Sequence, residues 1–158
     1  MNIFFLDRDI ERAAHYHCDR HVVKMALETA QILCTARHRY GAAAPYKPTH
    51  AKHPSVLWAG DSTRHFDWLV RFGKALCAEY THRYGKRHAS EDIIDAMTPP
   101  PEMPDASWCD PPQAMPDACK RHDPVEGYRA FYRADKAYFA MWTKRPVPDF
   151  MEAEEEAL

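Results

Sequence analysis

Glycine is scarce, five residues in 158, and none lies in a phosphate-cradling loop. That removes the nucleotide-binding fingerprints, which need a bare backbone beside phosphate. A nucleophile elbow of the G-x-S-x-G kind is missing, and so is the H-E-x-x-H pair of zinc hydrolases. Five cysteines (Cys18, Cys34, Cys77, Cys109, Cys119) form an odd set without C-x-x-C spacing. They predict reduced thiols in a cytoplasmic protein, not a zinc ribbon or a disulfide scaffold. No run of about 18 apolar residues is present, so no membrane-spanning helix is expected. The opening MNIFFLDRD lacks the basic region and apolar stretch of a secretory signal. An excess of positive charge is lacking too: the net charge is −2, which excludes binding to DNA by bulk attraction alone.

What is present suits one folded domain. Hydrophobic residues make up 46% and aromatics 12%, enough to build a core and to exclude general disorder. Four glutamates crowd the segment 152–158; without them the remaining body carries +2. Residues 1–151 are therefore read as a single, mildly basic domain with an acidic tail, compatible with a nucleic-acid partner.

The patterning is helical throughout and predicts an all-α fold of three main helices with long irregular connections. The first helix is expected from about Asp9 to Arg37, a stretch without glycine or proline, preceded by the apolar stub Ile3–Leu6. The second is expected from Asp61 or Ser62 to Tyr84, with Gly85 as its stop. Its apolar residues Phe66, Leu69, Leu76 and Tyr80, with Gly73 among them, recur at helical spacing. The third starts at Asp123, with Pro124 in its first turn and Glu126 completing a capping box, and runs to about Trp142. Its aromatic face is Tyr128, Phe131, Tyr132, Tyr138, Phe139 and Trp142; its basic face is Arg129, Arg133 and Lys136. Between the second and third helices, residues 89–121 are rich in proline, and Trp108 and the methionines predict that they wrap onto the body.

The first helix carries the chemistry. At about 100° per residue, His17, His21, Lys24, Glu28 and Gln31 share one stripe with Arg20 at its edge, on a helix otherwise largely apolar. A polar stripe on a central helix is expected to face a cleft, because unpaired buried charge is costly. Glu28 among imidazoles and a lysine then suits acid–base work or stabilisation of a cation. The plain alternative is a surface ion pair between Lys24 and Glu28. His17 and His21 have the spacing of a two-histidine metal pair, which leaves a metal hydrolase open, although hydrogen-bonded imidazoles fit as well and no metal is expected. Arg129, Arg133 and Lys136 could grip phosphates or form a solvated face. Lys47, His50 and His53 lie in a proline-stiffened loop suited to phosphate contact.

The sequence Asp19-Arg20-His21 with Glu28 seven residues beyond the histidine resembles the pyrimidine-dimer DNA glycosylases and AP lyases of phages and algal viruses. The run Trp58-Ala59-Gly60, His65-Phe66-Asp67-Trp68-Leu69 and Glu79-Tyr80-Thr81-His82-Arg83-Tyr84-Gly85 is similar to the entry and end of that family's second helix. The resemblance implies a cofactor-free, all-helical enzyme that flips a nucleotide out of double-stranded DNA and works at C1′ of a pyrimidine nucleotide. It further implies attack by the terminal amine of Met1, a catalytic Glu28 that stabilises the cationic sugar, and His21 orienting substrate or phosphate. An α-amine titrates near about 7.7–8.0 and lysine near about 10.4, so the former is the readier nucleophile at neutral pH. The chain departs from the family in a longer stretch before Asp19, in a bulky Asn2 that leaves Met1 in place, and in Leu27 where the family has arginine.

Two other readings use the same scaffold: a phage-type enzyme that displaces a leaving group from a 5-substituted pyrimidine in DNA, and a non-enzymatic helical DNA-binding module. A monomer is expected in each case. The amine reading requires the terminal nitrogen within about 8 Å of the Glu28 carboxylate, so that both reach one sugar.

Overall fold

The long first helix is interrupted. The computed structural model, which describes residues 1–152, has α1 at Ile10–Tyr16 and α2 at Asp19–Arg39, with His17 and Cys18 extended between them. The His17 ring takes the Ala13 carbonyl that a continuous helix would give to the His17 N–H, and the amides freed beyond it are taken by distant groups. Cys18 N–H donates to the Tyr132 hydroxyl at 3.2 Å and Asp19 N–H to the Met141 carbonyl at 2.7 Å. Four more helices follow: α3 (Pro54–Gly60), α4 (Thr63–Tyr84), α5 (Glu91–Asp95) and α6 (Pro124–Phe131). Among the described residues no strand occurs, so the fold is all-α, with α2 and α4 dominant and six α-helices where three were expected. No helix is long and apolar enough to cross a membrane. Of the acidic segment, all but Glu152 lies outside the described residues.

The second expected helix has its expected ends. The Ser62 hydroxyl accepts from Arg64 N–H, and Gly85 closes α4 at φ 69°, a left-handed position that glycine adopts without penalty. Helices α2 and α4 cross at Gly73, where an added Cβ would lie 2.9 Å from Thr29 Cγ2 and 3.1 Å from Ile94. That glycine therefore sets how near α4 comes to the helix bearing Glu28.

The third helix is shorter than expected. Asp123 caps α6 by accepting from Val125 N–H, but Glu126 turns to Arg129 at 3.6 Å and completes no capping box. After Phe131 the chain forms a π-turn, Tyr132–Lys136, and ceases to be regular helix. The wider turn rotates later residues off the helical register. Tyr138 accordingly leaves the expected aromatic face and is 86% exposed.

The stub Ile3–Leu6 is buried and forms no strand. It runs against the direction of α2: Asn2 lies at Glu28 and Phe4 stacks on His21 with ring centres 4.3 Å apart. The proline-rich segment lies on the helices, with Thr63 N–H donating to Pro104 O and the Trp58 indole to Cys109 O.

Candidate active site

The antiparallel stub delivers the chain's first nitrogen to the middle of α2. Met1 N lies 3.5 Å from Glu28 Oε1, Asn2 N–H donates to the same oxygen at 3.2 Å, and Lys24 Nζ stands 3.7 Å from Oε2. The carboxylate is thus held by two cations and an amide, with its side chain only 12% exposed. The Met1 side chain is 3% exposed although the residue as a whole is half-buried, so solvent reaches Met1 through its backbone atoms. The amine requirement of about 8 Å is met with room to spare.

His53 adjoins this pair. It caps α3 by accepting Ser55 N–H on Nδ1 at 3.0 Å, which leaves the proton of the neutral ring on Nε2. Burial lowers its pKa, the nearby Met1 amine and His50 lower it further, and Glu28 opposes them. His50 and Lys47 are exposed on the same loop.

The two histidines of the expected stripe are elsewhere. His17 is 0% exposed and belongs to the end of α1, so the break removes it from the α2 stripe and from any DNA surface. Its Nδ1 bonds the Ala13 carbonyl at 2.7 Å and its Nε2 is buried without a partner. His21 lies beneath Phe4 and Phe139, with Nδ1 2.7 Å from the Tyr132 hydroxyl. The stub that brings in the amine covers His21, which packs against Phe4 and is 3% exposed. Burial pushes the pKa of His17 down to about 4. For His21 burial acts first, then the positive charges of His17, Lys136, Lys24 and Arg20, down to about 2. Of these basic residues Lys24 stands at the carboxylate, 3.7 Å from Glu28 Oε2. Among the described residues no three His, Cys, Asp or Glu side chains converge to hold a metal ion.

These buried imidazoles give the protein an acid-sensitive stability. A histidine that titrates at about 4 when folded and about 6.5 when unfolded leaves stability intact above pH 6.5 and reduces it as pH falls toward 4. For His17 the loss is about 3 kcal/mol over that window. His17→Asn, which keeps a donor for Ala13, is expected to remove that part of the slope. Urea unfolding at pH 7 and pH 4 checks it; parallel losses in both proteins would contradict the assignment.

The expected basic face of the third helix is largely committed. Arg129 donates from Nε to Leu6 O at 2.9 Å and from Nη2 to Asp7 at 2.8 Å, clamping the stub instead of presenting a phosphate fork. Arg133 Nη1 donates to Phe150 O, and Lys136 Nζ sits 4.8 Å above the Phe131 ring. Arg20 is exposed and stacks on Phe139 at 4.1 Å.

Asp19 has a role the sequence did not disclose. It receives Arg83 Nη1 at 2.9 Å and both the N–H and hydroxyl of Thr143. Arg83, with no side-chain exposure, also donates to Glu79 at 2.8 Å and to the His15 carbonyl at 3.0 Å, and Arg145 grips Glu79 with two bonds of 2.9 Å. Burial alone would raise the Glu79 pKa, but bonds from Arg145 and Arg83 outweigh it and hold the carboxyl below its usual range. This network ties α1, α2, α4 and residues 143–145 together around the helix break. Spacing of four between Glu79 and Arg83 was a visible signal; their burial and third partner were not.

A search of curated proteins and one of solved structures each found no match. Residues 1–92 match the sequence model of a family described as pyrimidine dimer DNA glycosylase, a span that contains Met1, Asp19, His21 and Glu28. With that match covering more than half of the chain, the protein belongs to the pyrimidine dimer DNA glycosylase family.

Proposed function

We propose that the protein is a glycosylase and AP lyase acting on a pyrimidine nucleotide in duplex DNA, with the Met1 α-amine as nucleophile and Glu28 as its partner carboxylate. The contact of 3.5 Å between Met1 N and Glu28 Oε1 supports this reading, because an amine and a carboxylate that close can both face one sugar carbon. The amine gives up a proton to water and its lone pair attacks C1′, with Glu28 left ionised 3.5 Å away. The bond from C1′ to the base breaks, and the base departs with the electron pair and is protonated by water. Glu28 stabilises the positive charge that develops on the sugar.

The C1′–O4′ bond then breaks with its electrons going to O4′, which takes a proton from water, and a protonated imine is left between C1′ and the amine. Removal of a C2′ proton then drives β-elimination, with the 3′ phosphate leaving with the electrons of the C3′–O bond. Water hydrolyses the imine and frees the amine. Lys24 at Glu28, Arg20 on Phe139, Lys136 on Phe131, and Lys47, His50 and His53 on the loop that carries the α3 cap are the contacts offered to the DNA backbone.

The test is incubation with two duplexes, one carrying a cyclobutane pyrimidine dimer and one an abasic site. Strand scission of both, with an unsaturated sugar remnant on the 3′ end, is the expected result. Scission of neither, with the protein bound to both duplexes, would leave a binding module in its place.

A further inference from the structure

A nucleophile at the start of a chain is only as well placed as the residues that follow it, and here residue 2 is fastened from a distance. The Asn2 side chain accepts from the Tyr128 hydroxyl on Oδ1 at 2.7 Å and from Ile3 N–H at 2.8 Å, and donates from Nδ2 to Ala114 O at 2.9 Å. The Tyr128 hydroxyl also lies 2.6 Å from Pro112 O and accepts from Ala114 N–H at 3.3 Å. Tyr128 is completely buried, its ring set edge-on to Phe4. Every one of these distant anchors lies between residues 112 and 128, outside the 1–92 span that carries the family match.

We propose that Tyr128 is a positioning residue for the amine chemistry, acting through Asn2 to hold the Met1 nitrogen against Glu28. The proposal rests on the amine reading above. Asn2 contributes at both ends: its side chain is fixed by Tyr128 and Ala114, while its own N–H is bonded to Glu28. The Met1 side chain is itself buried. Between these two anchors the amine has little freedom beyond rotation about the Met1 backbone. Loss of either anchor lets the nitrogen leave the carboxylate while Glu28 stays on its helix. The chain thus places its amine despite the bulky Met1-Asn2 start.

The test compares wild type, Tyr128→Phe, Asn2→Leu and the double variant in borohydride trapping on an abasic duplex. Leucine keeps residue 2 bulky, and intact mass confirms that Met1 is retained. At saturating DNA the rate of adduct formation is expected to fall about 10- to 100-fold in each single variant, since a misplacement near 1 Å costs on that order. The DNA dissociation constant is expected to stay unchanged, and the double variant to be no slower than the slower single. Equal rates in wild type and Tyr128→Phe overturn the clamp alone, and so does a loss that appears only as weaker DNA binding. Absence of any adduct with wild type overturns the amine reading itself, and the positioning role with it.

Discussion

Replacing Glu28 by glutamine is expected to lower base release and strand scission by about 100- to 10,000-fold, the range typical for loss of a positioned acid–base or charge-stabilising group. Glutamine keeps the shape and an acceptor for Asn2 N–H, so the fold is expected to persist. What it loses is the negative charge between Met1 N at 3.5 Å and Lys24 Nζ at 3.7 Å. A neutral amide does not offset a cationic sugar. Affinity for duplex DNA is expected to hold or rise, because a negative charge has left the face proposed to meet phosphates. Single-turnover cleavage at saturating protein separates the two effects. Activity within threefold of wild type, at unchanged affinity, would remove Glu28 from the reaction.

The second large effect is on stability. Arg83→Met is expected to cost about 3–5 kcal/mol, because it strands partners around a side chain with no exposure of its own. Glu79 would keep only Arg145 as an ionic partner at bonding distance, and Asp19 only Thr143. The His15 carbonyl, left over where α1 ends, would lose its donor as well. Adding Glu79→Met is expected to recover part of the loss, since the buried carboxylate then no longer lacks its partner. Urea unfolding of the three proteins at pH 7 measures this. A cost below about 1 kcal/mol for the single variant would show that the network contributes no more than a surface pair.

How far the sequence alone reached depends on the distance over which each feature is determined. Helix α4 was legible at both ends because Ser62 and Gly85 act on their immediate neighbours. Glu28 stood out because a carboxylate on an apolar central helix needs partners, and spacing supplied one of them, Lys24. The other partner, the Met1 amine, is 27 residues away and was reached only through the family resemblance. The break at His17–Cys18 was not foreseen, because the partners of its freed amides, the hydroxyl of Tyr132 and the carbonyl of Met141, are more than 100 residues away. Treating the helix as continuous kept His17 on the stripe and left His21 open, whereas the break and the stub bury both. Arg129 misled for a related reason: helical spacing puts it on a basic row, and only the docked stub shows that Leu6 and Asp7 occupy its guanidinium. The clamp on Asn2 joins positions 126 residues apart and has no sequence signature.

These elements describe one device. The stub lies along α2 and is held by Arg129 at Leu6 and Asp7, by His21 at Phe4 and by Tyr128 at Asn2, so that it ends with a nitrogen on Glu28. Peptide mapping of the borohydride-reduced adduct on abasic DNA tests this most directly, because two amines border the same carboxylate. The account expects the sugar remnant on the α-nitrogen of the peptide that begins at Met1. A remnant on the Lys24 ε-nitrogen, with the Met1 peptide unmodified, would contradict it.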